Sequence, residues 1–350
     1  LYQFSRHSDS TARKNSKEHR GKERKKGKMQ RPQLPVIDFS GFDPAADGGP
    51  AWDATREQVM QALGTCGCFE AVYDRITPEL RQSLLEVIAK DLFRLPLETK
   101  LKNASDKVYD GYLGRFPNLD YESLAIRDAT LSDAIPSFAS LMWPDGNPNF
   151  CERASSFTKK LAELQGMIRK MVLQSLGVAE YHEEQMQSTW HLLRFSEYGA
   201  PGEETRKVGQ MAHRDANLLT AVCQLNGVDG LEVETRDGQW IQATPSSPTS
   251  FFIIAGESFW AWSNGKVYSP MHGVTVSGKE TRYSVLLFAM PKNERPIQAP
   301  VELVDDKHPP IFKPYYYDDY LRFCFSEEGM MQQCKLVAYC GTDATKEADA

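Results

Sequence analysis

The sequence predicts a mainly β protein with flanking helices: a sandwich or barrel core preceded by a helical region. Three observations lead there. Beyond Thr189, eight short runs rich in branched and aromatic residues follow one another: "WHLLRF", "LTAVCQL", "GLEVET", "WIQAT", "SFFIIA", "FWAW", "HGVTV" and "RYSVLLFAM". Turn signals such as "NGVDG", "RDGQ", "SNGK" and "SGKE" separate them, the spacing of strands in a sandwich or barrel. Before Thr189, apolar residues recur instead at helical spacing.

Residues 1–28 hold ten Lys and Arg against three Asp and Glu and almost no apolar residues, so they cannot bury a core. They are expected to be a disordered basic extension from an overlong gene model, with Met29 as the true start. Nucleic-acid binding is the competing use of such a charge run. "LPVIDF" (Leu34–Phe39) reads as a short strand. Helical periodicity then runs from Trp52 to Leu63 and from Pro78 to Phe93, with Thr77 as N-cap and Pro78 as first helical residue. "ASDKVYDGYLGRFPNLDYESL" reads as loop and "PDGNPNF" as turns. A long amphipathic helix is expected from Phe150 to Leu176, stopped by Gly177. The β runs follow, and the aromatic tail "YYYDDYLRFCF" packs back on them. The chain thus divides into a helical region 29–186, a core 187–292 and a C-terminal segment 293–350.

Composition bounds the class. With 350 residues, 41% hydrophobic and 25% charged, the chain has the make-up of a globular protein. No apolar run approaches the roughly 20 residues a membrane helix needs, so no membrane partner is expected. Seven cysteines, odd in number and without a CxxC pair, read as reduced thiols of a cytoplasmic protein rather than a disulfide framework. A monomer is expected.

The chemistry concentrates around "VGQMAHRDANLL". Read as a strand, it projects His213 and Asp215 from one face, because side chains repeat with period two. His272, opening the run "HGVTV", supplies a second imidazole. Two imidazoles and one carboxylate suit non-heme Fe(II) and leave three positions open, one for O2 and two for a chelating 2-oxo acid. Such a co-substrate has a distal carboxylate to neutralise. In "TRYSVLLF", Arg282 and Ser284 share a strand face and offer a planar fork and a hydroxyl. His-x-Asp alone is a common chance pair, and a lone strand histidine is usually a core residue. The ordered combination is the informative signal.

"HxD…H…RxS" is the motif of plant 2-oxoglutarate- and Fe(II)-dependent dioxygenases, which this sequence resembles from about Leu34 to Lys292. It is most similar to the branch of the alkenyl-glucosinolate-producing (AOP-type) enzymes and the related auxin-oxidising dioxygenases. "LPVIDFS", "YDGYLGRFPNLDYESLAI", "SFASLMWPDGNPNFC" and "AWSNGKVYSPMHGV" carry the likeness. The resemblance implies a double-stranded β-helix (jelly roll), with His213, Asp215 and His272 binding Fe(II). It also implies Arg282, Ser284 and Tyr198 binding 2-oxoglutarate, with ascorbate supportive. Tyr198 matches the second tyrosine of the family's Asn-Tyr-Tyr-Pro motif, from which Ser196, Glu197 and Gly199 depart. Many relatives carry Thr in place of Arg214 and Arg in place of Gly273; both positions are expected to face away from the metal. Because Asp215 leaves no halide position, the implied outcome is hydroxylation, ring oxidation or desaturation of a small plant metabolite, such as indole-3-acetate or a specialised metabolite. Tyr112, Phe116, Trp190, Phe195 and Trp260 are candidate pocket aromatics, Tyr112 and Phe116 foremost. A non-catalytic metal-binding β-barrel is the alternative, motivated by Gly273 and the altered tyrosine motif.

Overall fold

In a computed structural model that describes residues 33–107, 109–114, 119–202 and 206–348, the chain builds two facing sheets. The expected extension 1–28 lies outside these residues. The strands are β1 (Val36–Asp38), β2 (Cys68–Val72), β3 (Leu113–Gly114), β4 (Tyr121–Ile126), β5 (Thr189–Tyr198) and β6 (Arg206–His213). They continue with β7 (Leu219–Gln224), β8 (Leu231–Glu234), β9 (Trp240–Gln242), β10 (Ser250–Ala255), β11 (His272–Ser277) and β12 (Arg282–Pro291). The larger sheet has the order β1-β2-β10-β7-β12-β5-β4-β3 and the smaller β6-β11-β8-β9. This is a jelly-roll core with a helical N-terminal region.

Period-two alternation sorts each strand between two environments. On β12, Tyr283, Val285, Leu287 and Ala289 enter the core shared with the helices. Leu286, Phe288 and Met290 point to the opposite face, as do Arg282 and Ser284 by the same alternation. The helix Pro148–Ser175 covers the helix-side face with Phe150, Phe157, Leu161, Leu164 and Ile168. Its buried Gln165 donates from Nε2 to the carbonyls of Leu219 (3.1 Å) and Leu287 (2.8 Å), tying the helix to β7 and β12. Between the sheets, Val222, Phe252 and Ile254 meet Leu231, Val233 and Ile241.

Several expectations hold. The long helix is capped by Asn147, whose side chain accepts from the Phe150 amide, and Gly177 takes a φ of 74° just beyond its end. Thr77 accepts from the Leu80 amide at the start of the helix Pro78–Val87. That helix widens into a π-turn over Ile88–Leu92 before reaching Phe93. The aromatic tail forms the helix Tyr317–Cys324, and its Tyr317 and Tyr320 pack in a cluster with Trp190 and Met290.

Others are corrected. The stretch read as loop contains β3 and β4; "YESLAI" alternates correctly for a strand but is too polar on its inward face to signal one. Residues Ala134–Met142, for which no element was expected, are helical. "FWAW" is no strand but the end of the helix Glu257–Trp262: a short apolar run carries no period, and Gly256 starts a helix here. Nor do His213 and Asp215 share a strand. His213 is the last residue of β6, and Asp215 lies in the turn before β7.

Gly67 fixes the path of the segment leading to His272. It takes a φ of +67°, and a Cβ there would sit 2.3 Å from the Tyr268 carbonyl oxygen and 2.6 Å from Pro270 Cδ. Left-handed backbone costs a non-glycine residue about 1–2 kcal/mol before any clash. Gly67→Ala is therefore expected to lower Tm by at least roughly 2 °C at about 2–4 °C per kcal/mol, and by more as the clash adds to it. An unchanged melting curve would show that the Tyr268–Pro270 backbone yields freely.

Candidate metal centre

The two histidines are brought together by strand pairing: His213 and His272 are direct partners across β6 and β11, with ring centroids 4.4 Å apart. Asp215 comes from the adjoining turn. Its Oδ1 lies 3.5 Å from His213 Nε2 and 3.7 Å from His272 Nε2. One donor atom from each residue lies within 4.8 Å of the others, so the three side chains could hold one metal ion. Asp215 and His272 are buried and His213 is about a third exposed, so the cluster opens toward solvent past His213.

Each candidate ligand is oriented from behind. Nδ1 of His213 contacts the Met211 carbonyl (2.8 Å) and Nδ1 of His272 the Pro270 carbonyl (3.3 Å). A carbonyl can only accept, so both Nδ1 atoms carry hydrogen and both Nε2 lone pairs face the centre. Thr220 donates to Asp215 Oδ2 at 2.5 Å, and Asn217 donates to that same hydroxyl at 3.1 Å. Burial alone would raise the Asp215 carboxyl, but His272, His213 and Thr220 outweigh it and hold it at about 2. Burial pushes the His272 imidazole down to about 4 against the pull of Asp215. At neutral pH an ionised carboxylate therefore faces an unprotonated His272. At His213 burial is overcome by the pull of Asp215, which holds the imidazole above its ordinary value, a proton that metal binding would displace.

Arg282 and Ser284 lie on the inward face of β12 beside Tyr198 and Gln224. The Gln224 Oε1 accepts from Arg282 Nε (3.2 Å) and Nη2 (2.9 Å), and the guanidinium carbon sits 4.9 Å from the Tyr198 ring centroid. A Cβ on Gly230 would stand 3.0 Å from Arg282 Cδ, so a glycine leaves the arginine its space. Two buried polar atoms here have no partner: Arg282 Nη1 and Ser284 Oγ. An unpaired buried cation and hydroxyl are costly. Both demands are met by a carboxylate, so the residues present fit a 2-oxo acid as well as a metal.

Gly273 pairs with Glu232 inside an irregular stretch of β11, where a Cβ would meet the Gln210 carbonyl at 3.1 Å. Arg214 is not on a strand; its guanidinium donates to the Ser269 carbonyl and stacks 5.4 Å from both Trp260 and Tyr268.

The aromatic candidates are placed variously. The Tyr112 hydroxyl donates to Glu122 (2.9 Å), and its ring packs on the helix-side core. Phe195 lies in that same core, while Trp190 and Trp260 belong to the C-terminal cluster. Phe116 lies outside the described residues. The inward face instead presents Tyr121, 4.9 Å from Tyr198, and Arg194. Buried Arg194 donates to Ser123 Oγ (2.7 Å) and to the Gly111 and Tyr109 carbonyls. Tyr109, at a φ of 73°, sets its ring 5.0 Å from Phe325. Sequence reasoning missed Arg194, although it stands inside the apolar run "WHLLRF", where a charge is out of place.

Comparison with known proteins agrees with the geometry. The sequence profile of the "2OG-Fe(II) oxygenase superfamily" matches residues 189–291, and that of the "non-haem dioxygenase in morphine synthesis N-terminal" matches 34–130. The chain is 42% identical to the probable 2-oxoglutarate-dependent dioxygenase AOP1.2 of Arabidopsis thaliana, with 88% of this chain and 95% of the relative aligned. To the 2-oxoglutarate-dependent dioxygenase AOP2 of the same plant it is 30% identical, with 88% and 98% aligned. Among solved structures, the Arabidopsis dioxygenase for auxin oxidation 1, bound to 2-oxoglutarate, superposes with a TM-score of 0.71 at 23% identity, over 79% of this chain and all of that one. JOX2, solved with 2OG, Fe and JA, gives 0.72 at 23% identity, over 89% and 90%. These two structures speak for the fold.

Proposed function

We propose, from the premise that the chain belongs to the 2-oxoglutarate- and Fe(II)-dependent oxygenases, that its substrate is a small plant metabolite bearing a carboxylate next to an aromatic or similarly flat body. The family activity is oxidation of a small metabolite with 2-oxoglutarate and O2. Bound iron supplies the activation of O2, coupled to decarboxylation of 2-oxoglutarate to succinate. His213, Asp215 and His272 would hold it. Arg282 and Ser284 would take the distal carboxylate of the co-substrate, with Tyr198 beneath the guanidinium. An intact ligand triad and 42% identity to named dioxygenases favour the enzyme over the non-catalytic barrel.

One observation carries the substrate class. Arg194 is buried on the inward face, and among the described residues no Asp or Glu ion-pairs with it. The neighbouring Asp110 is engaged by Arg127 at 2.8 Å. Neutral oxygens satisfy Arg194 hydrogens, and Asp110 offsets its charge only from a distance against the cost of burial; an anionic substrate would neutralise it directly. Tyr109 and Tyr121, near it, offer ring faces for a flat body.

Indole-3-acetate is the first substrate to test, beside its neutral amide and a plant extract, each with Fe(II), ascorbate and 2-oxoglutarate. Mass spectrometry should find a product gaining one oxygen or losing two hydrogens from an acid and not from its amide. Arg194→Gln is expected to raise the KM of that acid about 10–100-fold, the worth of a charge-assisted hydrogen bond, and to leave the 2-oxoglutarate KM unchanged. An amide oxidised as fast as its acid would sink the carboxylate reading. A cytoplasmic location and a monomeric state are proposed with it. No helix among the described residues is long and apolar enough to cross a membrane.

A further inference from the structure

The turn that carries Asp215 is held by its own carbonyls. Gly256 donates from its amide to the Leu218 carbonyl (3.0 Å), Glu257 to Asp215 (2.7 Å) and Ser258 to Asn217 (3.1 Å), while Ser258 Oγ donates to Ala216 (2.5 Å). Four consecutive carbonyls, 215 to 218, thus accept from three consecutive residues. The fit leaves no slack: a Cβ on Gly256 would stand 2.1 Å from the Asn217 oxygen. Residues 256–258 are in turn fixed from the C-terminal segment. The fully buried Tyr320 donates its hydroxyl hydrogen to Glu257 Oε2, and Tyr315 donates to Ser258 Oγ at 3.4 Å. The rings of Tyr315 and Tyr320 pack edge to face, 5.3 Å apart.

We infer that Tyr320 is a positioning residue for Asp215, acting through Glu257, so that the C-terminal segment is part of the metal site's support. The inference rests on the reading of His213, Asp215 and His272 as metal ligands. A hydroxyl at position 320 fixes the Glu257 side chain, hence the amide beneath the Asp215 carbonyl, hence the direction of the Asp215 side chain. Without it, Glu257 keeps its place in sequence but loses the only side-chain hydrogen bond drawn to its carboxyl among the described residues. Support behind a metal ligand is worth about 10–100-fold in metal affinity.

The test is Mn(II) binding to the full chain without co-substrate, followed by loss of the free aqua-ion signal in electron paramagnetic resonance. Tyr320→Phe is expected to weaken binding about tenfold. Glu257→Gln keeps an oxygen acceptor for the Tyr320 hydroxyl and should lose less affinity than Tyr320→Phe; a larger loss would count against the inference. Gln174→Met removes two hydrogen bonds elsewhere, the 2.6 Å bond from Trp52 Nε1 and the 3.1 Å bond to the Asp47 carbonyl, and should lower Tm while leaving Mn(II) affinity alone. Tyr320→Phe binding Mn(II) as tightly as wild type, or Gln174→Met losing as much affinity, would overturn the inference. Wild-type protein that binds no Mn(II) would overturn the metal assignment beneath it.

Discussion

Asp215→Ala abolishes 2-oxoglutarate-dependent turnover while the chain still folds: this is the largest expected effect. Asp215 is the one anionic member of the triad and is held ionised at neutral pH. Deleting support behind a ligand costs about 10–100-fold in metal affinity, so deleting the ligand itself should exceed roughly 100-fold. The remaining imidazoles would face each other, 4.4 Å between centroids, with no carboxylate to balance a divalent charge. The backbone should hardly respond. The turn is fixed through the Asp215 carbonyl and its neighbours, which an alanine retains, and Thr220 still receives the Asn217 amide hydrogen. Mn(II) titration and succinate release, read beside circular dichroism, separate the two effects. Succinate formed at the wild-type rate by Asp215→Ala would refute the triad as the reaction centre.

What the sequence made legible follows from where information is local. The candidate metal and co-substrate residues could be picked out because each motif places two groups within a few residues, and Arg282 and Ser284 do share a strand face. The long helix was readable because its period repeats over 28 residues between an Asn-Pro start and a glycine stop. The route by which His213 and Asp215 converge was not: β6 ends at His213, and a turn does what a strand was expected to do. β4 escaped notice because its inward residues, Tyr121 and Ser123, are polar for reasons set by Arg194 and Tyr198 across the sheet. A strand lining a polar site keeps its alternation but lacks the apolar inward face that would mark it. Support for Asp215 was equally hidden, since nothing local to Tyr320 announces that its hydroxyl reaches Glu257, 63 residues away. Such contacts exist only once the C-terminal segment has packed.

Arg282→Lys tests the other half of the site and should raise the KM for 2-oxoglutarate about 10–100-fold with little change in metal binding. The arginine has three fixed tasks. Nε and Nη2 satisfy Gln224 Oε1, the face of the guanidinium covers Tyr198, and Nη1 is left buried without a well-formed hydrogen bond, as is Ser284 Oγ two residues along the same strand face. Lysine keeps the charge but brings its donors to one point, so it cannot serve Gln224 and a carboxylate together in the arginine's geometry. Loss of one charge-assisted hydrogen bond is worth about 1.5–3 kcal/mol, and each 1.4 kcal/mol is about tenfold. Ser284→Ala removes the weaker, neutral donor and should cost less. The proposed metal ligands sit on β6, β11 and the turn after β6, none of them on β12, so Mn(II) affinity measured without co-substrate should stay at the wild-type value. A KM that does not move would place the co-substrate carboxylate elsewhere. A parallel loss of Mn(II) binding would mean that Arg282 supports the fold of the site rather than its ligand.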